Sequence, residues 1–141
     1  MTVSNKELLR QHGIKYSQQR DIVLNLLRHL TRPASVEELY TKALPLHPTI
    51  HLSTVYRILE NFEAHHLVVR NTLSEDKKNV YELYTPAHKH YMVCLKCHQC
   101  FPIPDCPCNI LDEAVTKATD FEVIDHKIEI LGYCATCQLR H

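Results

Sequence analysis

Residues 53–62 read Ser53-Thr54-Val55-Tyr56-Arg57-Ile58-Leu59-Glu60-Asn61-Phe62. Apolar side chains at 55, 58, 59 and 62 recur with the spacing that lines one face of an α-helix. The opposite face carries Thr54, Tyr56, Arg57, Glu60 and Asn61. Upstream, Ser17 is placed to cap a helix running to about His29, with Ile22, Val23, Leu26, Leu27 and Leu30 as its apolar stripe. Ser35-Val36-Glu37-Glu38 has the form of a capping box, in which Ser35 and Glu38 satisfy each other's free backbone N–H groups. The helix it opens buries Val36, Leu39, Tyr40 and Ala43, and Pro45 and Pro48 end that run before the helix near Ser53 begins. Downstream, Leu67–Thr72 and Asn79–Tyr84 read as two short strands joined by a charged loop. Three helices and a hairpin make a winged helix-turn-helix, expected over residues 1–84. Ser53 and Thr54, at a helix N-terminus, can hold phosphate through hydroxyls and free N–H groups.

Residues 85–87 read as a linker, and 88–141 as a small second domain of mixed helix and strand, so the fold class expected is α+β. Tyr91–Leu95 should be a strand and Ile110–Ala118 an amphipathic helix. Phe121–Leu131 should be a long strand with Ile124, His126, Ile128 and Ile130 on one face. A composition of 45% hydrophobic and 23% charged residues supports a folded chain. No apolar run is long enough to span a bilayer, and the first residues lack the apolar centre of a signal peptide, so a cytoplasmic protein is expected. The formal net charge is zero, which alone argues nothing for nucleic acid.

All 7 cysteines lie in the last third, and the chain holds 11 histidines. In reducing cytosol such clustering favours metal ligation over disulfides. Cys94-Leu95-Lys96-Cys97 and Cys134-Ala135-Thr136-Cys137 are two CxxC turns, each presenting two thiolates to one ion; together they complete a closed tetrahedral zinc site of structural type. Cys97-His98-Gln99-Cys100 is a third CxxC, so the register of the site stays open. His88-Lys89-His90 offers a second site, because residues two apart on a strand point the same way. His126, on the apolar face of the last strand, joins them as a third imidazole. Cys106 and Cys108 precede a helix, whose N-terminal dipole favours the thiolate that a metal needs.

The segment His51–Glu63 resembles the recognition helix of ferric-uptake-regulator (Fur) family repressors, with their Ser/Leu-x-Thr-Val-Tyr-Arg pattern. Gly13–Arg20, Val80-Tyr81-Glu82-Leu83, the CxxC pair and His126 with Gly132 follow in family order, so the likeness spans nearly the whole chain. The resemblance implies a homodimer that binds an AT-rich palindrome of double-stranded DNA, with residues 88–141 as the dimerisation domain. It gives Tyr56 a base edge, Arg57 a phosphate or base, and Lys15 the adjacent minor groove, with Arg20 in the same DNA-binding set. The family's commonest sensing site would put histidines at 89 and 91, where Lys89 and Tyr91 stand, and between the second and third helices, where Arg32 and Pro33 stand. Its neighbouring site maps onto His88, His90 and His126. Its acidic fourth ligand falls on Asn109, so Cys106, then Cys108, is expected as the substitute.

Three imidazoles and a thiolate suit zinc over iron or manganese. The function expected is therefore a zinc-sensing (Zur-like) repressor of metal-uptake genes, not an enzyme, with one structural and one regulatory zinc. The alternatives are an iron- or manganese-dependent regulator of the same family, peroxide sensing included; a zinc hydrolase or lyase built on His-x-His plus His; and a thiol switch using Cys100, Cys106 and Cys108.

Overall fold

Four helices and a hairpin build the first half of the computed structural model, which describes residues 2–73, 75, 77–86, 89–104 and 108–138 (for Cys108, the backbone alone). The chain divides into two units, Met1–Thr85 and Pro86–His141. In the first, α1 (Asn5–Gln11) is a helix beyond the three expected, capped by Ser4, whose side chain accepts from the Glu7 N–H. Gly13, at φ +72, turns the chain out of it. Ser17 caps α2 (Gln18–His29) by accepting from the Arg20 N–H, as the sequence suggested. Ser35 does the same for α3 (Val36–Ala43) through the Glu38 N–H. The return half of that capping box is not made: the Glu38 carboxylate instead takes a two-pronged bond from the Arg32 guanidinium at 3.0 and 2.9 Å. A charged fork outcompetes one backbone N–H for the same oxygens.

Helix α4 (Leu52–Ala64) buries Val55, Ile58, Leu59 and Phe62, the four positions set by its period. They join Leu9, Val23, Leu24, Leu39 and others in one core that β1 (Val68–Thr72) and β2 (Asn79–Leu83) close with Val68 and Tyr81. Just past the end of the helix, His66 is a non-glycine residue at φ 61. The N–H groups of Leu67 and His66 there return to the carbonyls of Phe62 and Glu63, at 2.9 and 3.0 Å. That pair of bonds satisfies the helix's last carbonyls and aims the chain directly into β1. Strands β1 and β2 pair antiparallel, from Val68 opposite Leu83 to Thr72 opposite Asn79.

The second unit is a three-stranded sheet of order β4-β3-β5 with one helix among the described residues. Strand β3 (Tyr91–Cys94) is central, antiparallel to β4 (Cys100–Pro102) and parallel to β5 (Glu129–Gly132). Helix α5 spans Cys108–Ala118. The fold is thus α+β, a winged helix followed by a small mixed domain. The long strand expected over 121–131 is shorter: only Glu129–Gly132 is strand, and Ile124 is 85% exposed. The reason is the ladder. Strand β3 offers four residues, from Tyr91 to Cys94, and β5 uses all of them. Residues 121–128 alternate like a strand but have no neighbouring strand among the described residues to bond, and alternation alone cannot hold an extended chain.

Candidate metal centres and nucleic-acid interface

The two CxxC turns are built alike. His98 N–H donates to the Cys94 carbonyl and Gln138 N–H to the Cys134 carbonyl, each at 2.9 Å. Strand β3 delivers the first turn and β5 the second, side by side, with Leu95 N–H donating to Gly132 O at 2.8 Å. Ligand sulfurs of Cys94, Cys97, Cys134 and Cys137 consequently all lie within 4.8 Å of one another. Cys97 Sγ is 3.9 Å from Cys134 Sγ; a tetrahedron with Zn–S bonds of about 2.3 Å has edges of about 3.8 Å. The third CxxC does not compete: Cys97 groups with Cys94, Cys134 and Cys137, while Cys100 lies in β4 opposite Val93 and outside that group.

The electrostatics fit a divalent cation as well. Backbone N–H groups of Cys134 and Cys97 each donate to Cys94 Sγ at 3.5 Å, and hold its thiol down to about 5. Its neighbours go the other way. Partial desolvation beside the other sulfurs pushes Cys97 up although the residue is exposed, and the hydrogen bond to Cys134, with desolvation next, pushes Cys137 up to about 12. One thiolate is easy to form there and further ones repel it. A bound zinc ion would remove that repulsion by coordinating all four.

Of the second expected set, His90 and His126 come together. His90 is buried, 4% exposed, and its ring centroid lies 4.7 Å from that of His126. His88 and Cys106 lie outside the described residues, as does the Cys108 side chain. Asn109 is exposed. Ile128 N–H donates to His90 Nδ1 at 3.2 Å. A neutral imidazole has one in-plane lone pair, so a metal bound to His90 would displace this hydrogen bond. One residue that the sequence reading passed over is here: Asp112, on α5, places Oδ1 3.2 Å from His126 Nδ1. Its only sequence signal is its position three residues, close to one helical turn, beyond Asn109.

The residues expected to contact DNA all lie on the first unit. Ser53, Tyr56 and Arg57 are exposed on α4, and Tyr56 shows 40% of its surface. His51 leads into α4 without a side-chain cap, so the first N–H groups of that helix stay available to an anion. A groove of about 430 Å³ lies between the starts of α2 and α4, lined by Ser17, Gln19, Arg20, Thr54, Arg57 and Ile58. Arg20 Nη1 also donates to the Lys15 carbonyl at 2.6 Å, tying the exposed Lys15 loop to the groove. Two guanidiniums, two hydroxyls and the uncapped N-terminus of α4 in one groove are groups that can hold an anion.

The Ferric uptake regulator family model matches residues 11–131. The chain belongs to that family. The Legionella pneumophila ferric uptake regulation protein is 31% identical over 137 residues, 96% of this chain and 100% of that one. Among solved structures, the Vibrio cholerae ferric uptake regulator aligns with a TM-score of 0.76 at 30% identity, covering 92% of this chain and 99% of that one. A zinc-bound manganese uptake regulator aligns with a TM-score of 0.84 at 25% identity, covering 94% and 99%. Fur-family regulators are metal-dependent transcriptional repressors, and these relatives are regulators rather than enzymes. The hydrolase and lyase alternative is set aside on that ground. The thiol-switch alternative loses Cys100, since a buried thiol is a poor target for oxidant. Among the described residues no helix is long and apolar enough to cross a membrane.

Proposed function

We propose that this Fur-family protein is a cytoplasmic, homodimeric repressor that senses zinc and binds an AT-rich palindromic operator to control metal-uptake genes. The observation that carries the sensing half is the pairing of His90 and His126, 4.7 Å apart, in the unit that also holds the four-thiolate cluster. Residues far apart in sequence converge there with donor atoms that suit a divalent cation. His90 and His126 would hold the regulatory ion, with His88 assigned by its His-x-His spacing. The ion supplies a cross-link between the segment leading into β3 and the segment leading into β5. On the DNA side, Tyr56 reads the major groove, Arg57, Ser53, Thr54 and Arg20 hold phosphate, and Lys15 reaches the adjacent minor groove.

The homodimer draws on a different feature. In the second unit Ile110, Phe121, Ile124, Ile130, Leu131 and Tyr133 are exposed, whereas its buried hydrophobics, among the described residues, are only Tyr91, Val93, Cys94 and Cys100. So much apolar surface on so small a domain is material for an interface with a second copy.

A second reading, iron(II) or manganese(II) in place of zinc, is favoured by the Asp112 carboxylate beside His126, an oxygen donor that harder ions prefer. Operator binding measured by fluorescence anisotropy under buffered zinc, iron(II) or manganese(II), in reductant, separates the readings. Tight binding with zinc alone supports the zinc sensor. Binding driven by iron or manganese at concentrations where zinc fails would replace it.

A further inference from the structure

The proposed regulatory site lacks a settled fourth donor, and the sequence points to a cysteine for it. The structure points elsewhere. Asn109, where the family resemblance puts a carboxylate, is exposed and uncharged, while Asp112 on the next turn of α5 is half-buried. Its Oδ1 stands 3.2 Å from Nδ1 of His126, a side chain only 19% exposed. In a tetrahedral site with bonds of about 2.0 Å to nitrogen and oxygen, neighbouring donor atoms stand about 3.3 Å apart. Asp112 and His126 are already at that separation. The main chain at His126 is also held, because its backbone N–H donates to Asp125 Oδ1 at 2.8 Å. The Thr116 hydroxyl donates to the Asp112 carbonyl at 2.8 Å, within regular helix, so the carboxylate sits on a rigid support.

We infer that Asp112 supplies the oxygen ligand of the regulatory metal, taking over one helical turn later the acidic position that Asn109 has lost. This deepens the proposed function and rests on its His90–His126 site. The donor set becomes imidazole and carboxylate with no thiolate, leaving Cys106 and Cys108 outside it; such a set still takes zinc, but the thiolate that set zinc apart from iron(II) and manganese(II) is gone. Ligation needs no proton transfer at Asp112: a carboxylate and the His126 lone pair both meet the cation directly.

Cobalt(II) absorption tests this on the full chain with its four-thiolate site first filled by zinc, in reductant. One further equivalent of cobalt should give ligand-field bands without a thiolate-to-cobalt charge-transfer band. Asp112→Asn should weaken that cobalt by more than the roughly 10–100-fold that loss of an outer partner costs. Asp112→Cys should create the charge-transfer band, since only a side chain facing the ion can do so. The inference is overturned if wild type shows the band and Cys106→Ser or Cys108→Ser removes it. It is overturned as well if Asp112→Asn binds cobalt with unchanged affinity and spectrum, which would make the Asp112–His126 contact an ion pair only. His126→Ala isolates the underlying reading: retained second-site cobalt there would remove the histidine site itself, whereas loss in His126→Ala with none in Asp112→Asn would reject Asp112 alone.

Discussion

Removing the ion from the four-thiolate cluster should melt the second unit while the first stays folded. The first unit has seventeen buried apolar residues in one core. The second has, among the described residues, Tyr91, Val93, Cys94 and Cys100. Burying a large apolar side chain contributes about 1.5–3 kcal/mol, so Tyr91 and Val93, the two large ones, supply about 4 kcal/mol. Ordering the strands of 4, 3 and 4 residues costs about 1.5 kcal/mol per residue, or about 16 kcal/mol. The shortfall for the sheet, about 12 kcal/mol, falls within the roughly 10–16 kcal/mol that zinc contributes in small thiolate sites. Cys97→Ser is the cleanest perturbation, because Cys97 is exposed and its loss removes a ligand without opening a cavity. Hydrogen exchange followed by mass spectrometry, on zinc-loaded wild type and on Cys97→Ser treated with chelator, reads both units at once. Peptides over Tyr91–Cys94 and Glu129–Gly132 should lose protection, while those over Val55–Phe62 keep it. Protection of β3 surviving zinc removal would refute the reasoning, and so would loss of α4 protection in step with it.

Arg57→Ala should weaken operator binding and lower the salt dependence of log Kd by about one unit for each phosphate left without its cation, with unchanged circular dichroism because Arg57 is exposed. Phe62→Ala, at a fully buried position, should cost about 3–5 kcal/mol in urea denaturation of the first unit. His66→Gly should raise the stability of that unit by about 1 kcal/mol in the same assay, since only glycine takes φ 61 without a Cβ penalty. Burial raises the Tyr81 phenol above its ordinary value of 10. Its neutral form is favoured in the fold, so its contribution is complete below pH 10 and lost as pH rises through the raised value. Urea midpoints measured from about pH 8 to about pH 11.5 should therefore fall at the alkaline end for wild type and fall less for Tyr81→Phe.

Much of this was legible because local chemistry dictated it. Helix α4 could be read from four apolar positions, the caps from Ser17 and Ser35, and the four-thiolate cluster from two CxxC turns. What was not legible depends on partners distant in sequence. Strand β4 is three residues long and exists because β3 lies beside it, with no period of its own. Residues 121–128 carry a strand pattern that no neighbouring strand among the described residues completes. Glu38 bonds to Arg32 instead of closing its capping box, a competition set by where the preceding loop runs. Asp112 meets His126 only because α5 packs beside the segment before β5, and spacing along the chain does not encode that.

The central claim is that metal at the His90–His126 site controls DNA binding, and one measurement tests it most directly. Wild type and His126→Ala, both retaining one tightly held zinc per chain, are titrated onto an AT-rich palindrome across a series of buffered free-zinc concentrations. The account predicts zinc-dependent binding for wild type and a loss of about a hundredfold or more in affinity for His126→Ala at saturating zinc, a coupling of a few kcal/mol. Equal, zinc-dependent binding by the two proteins would contradict it.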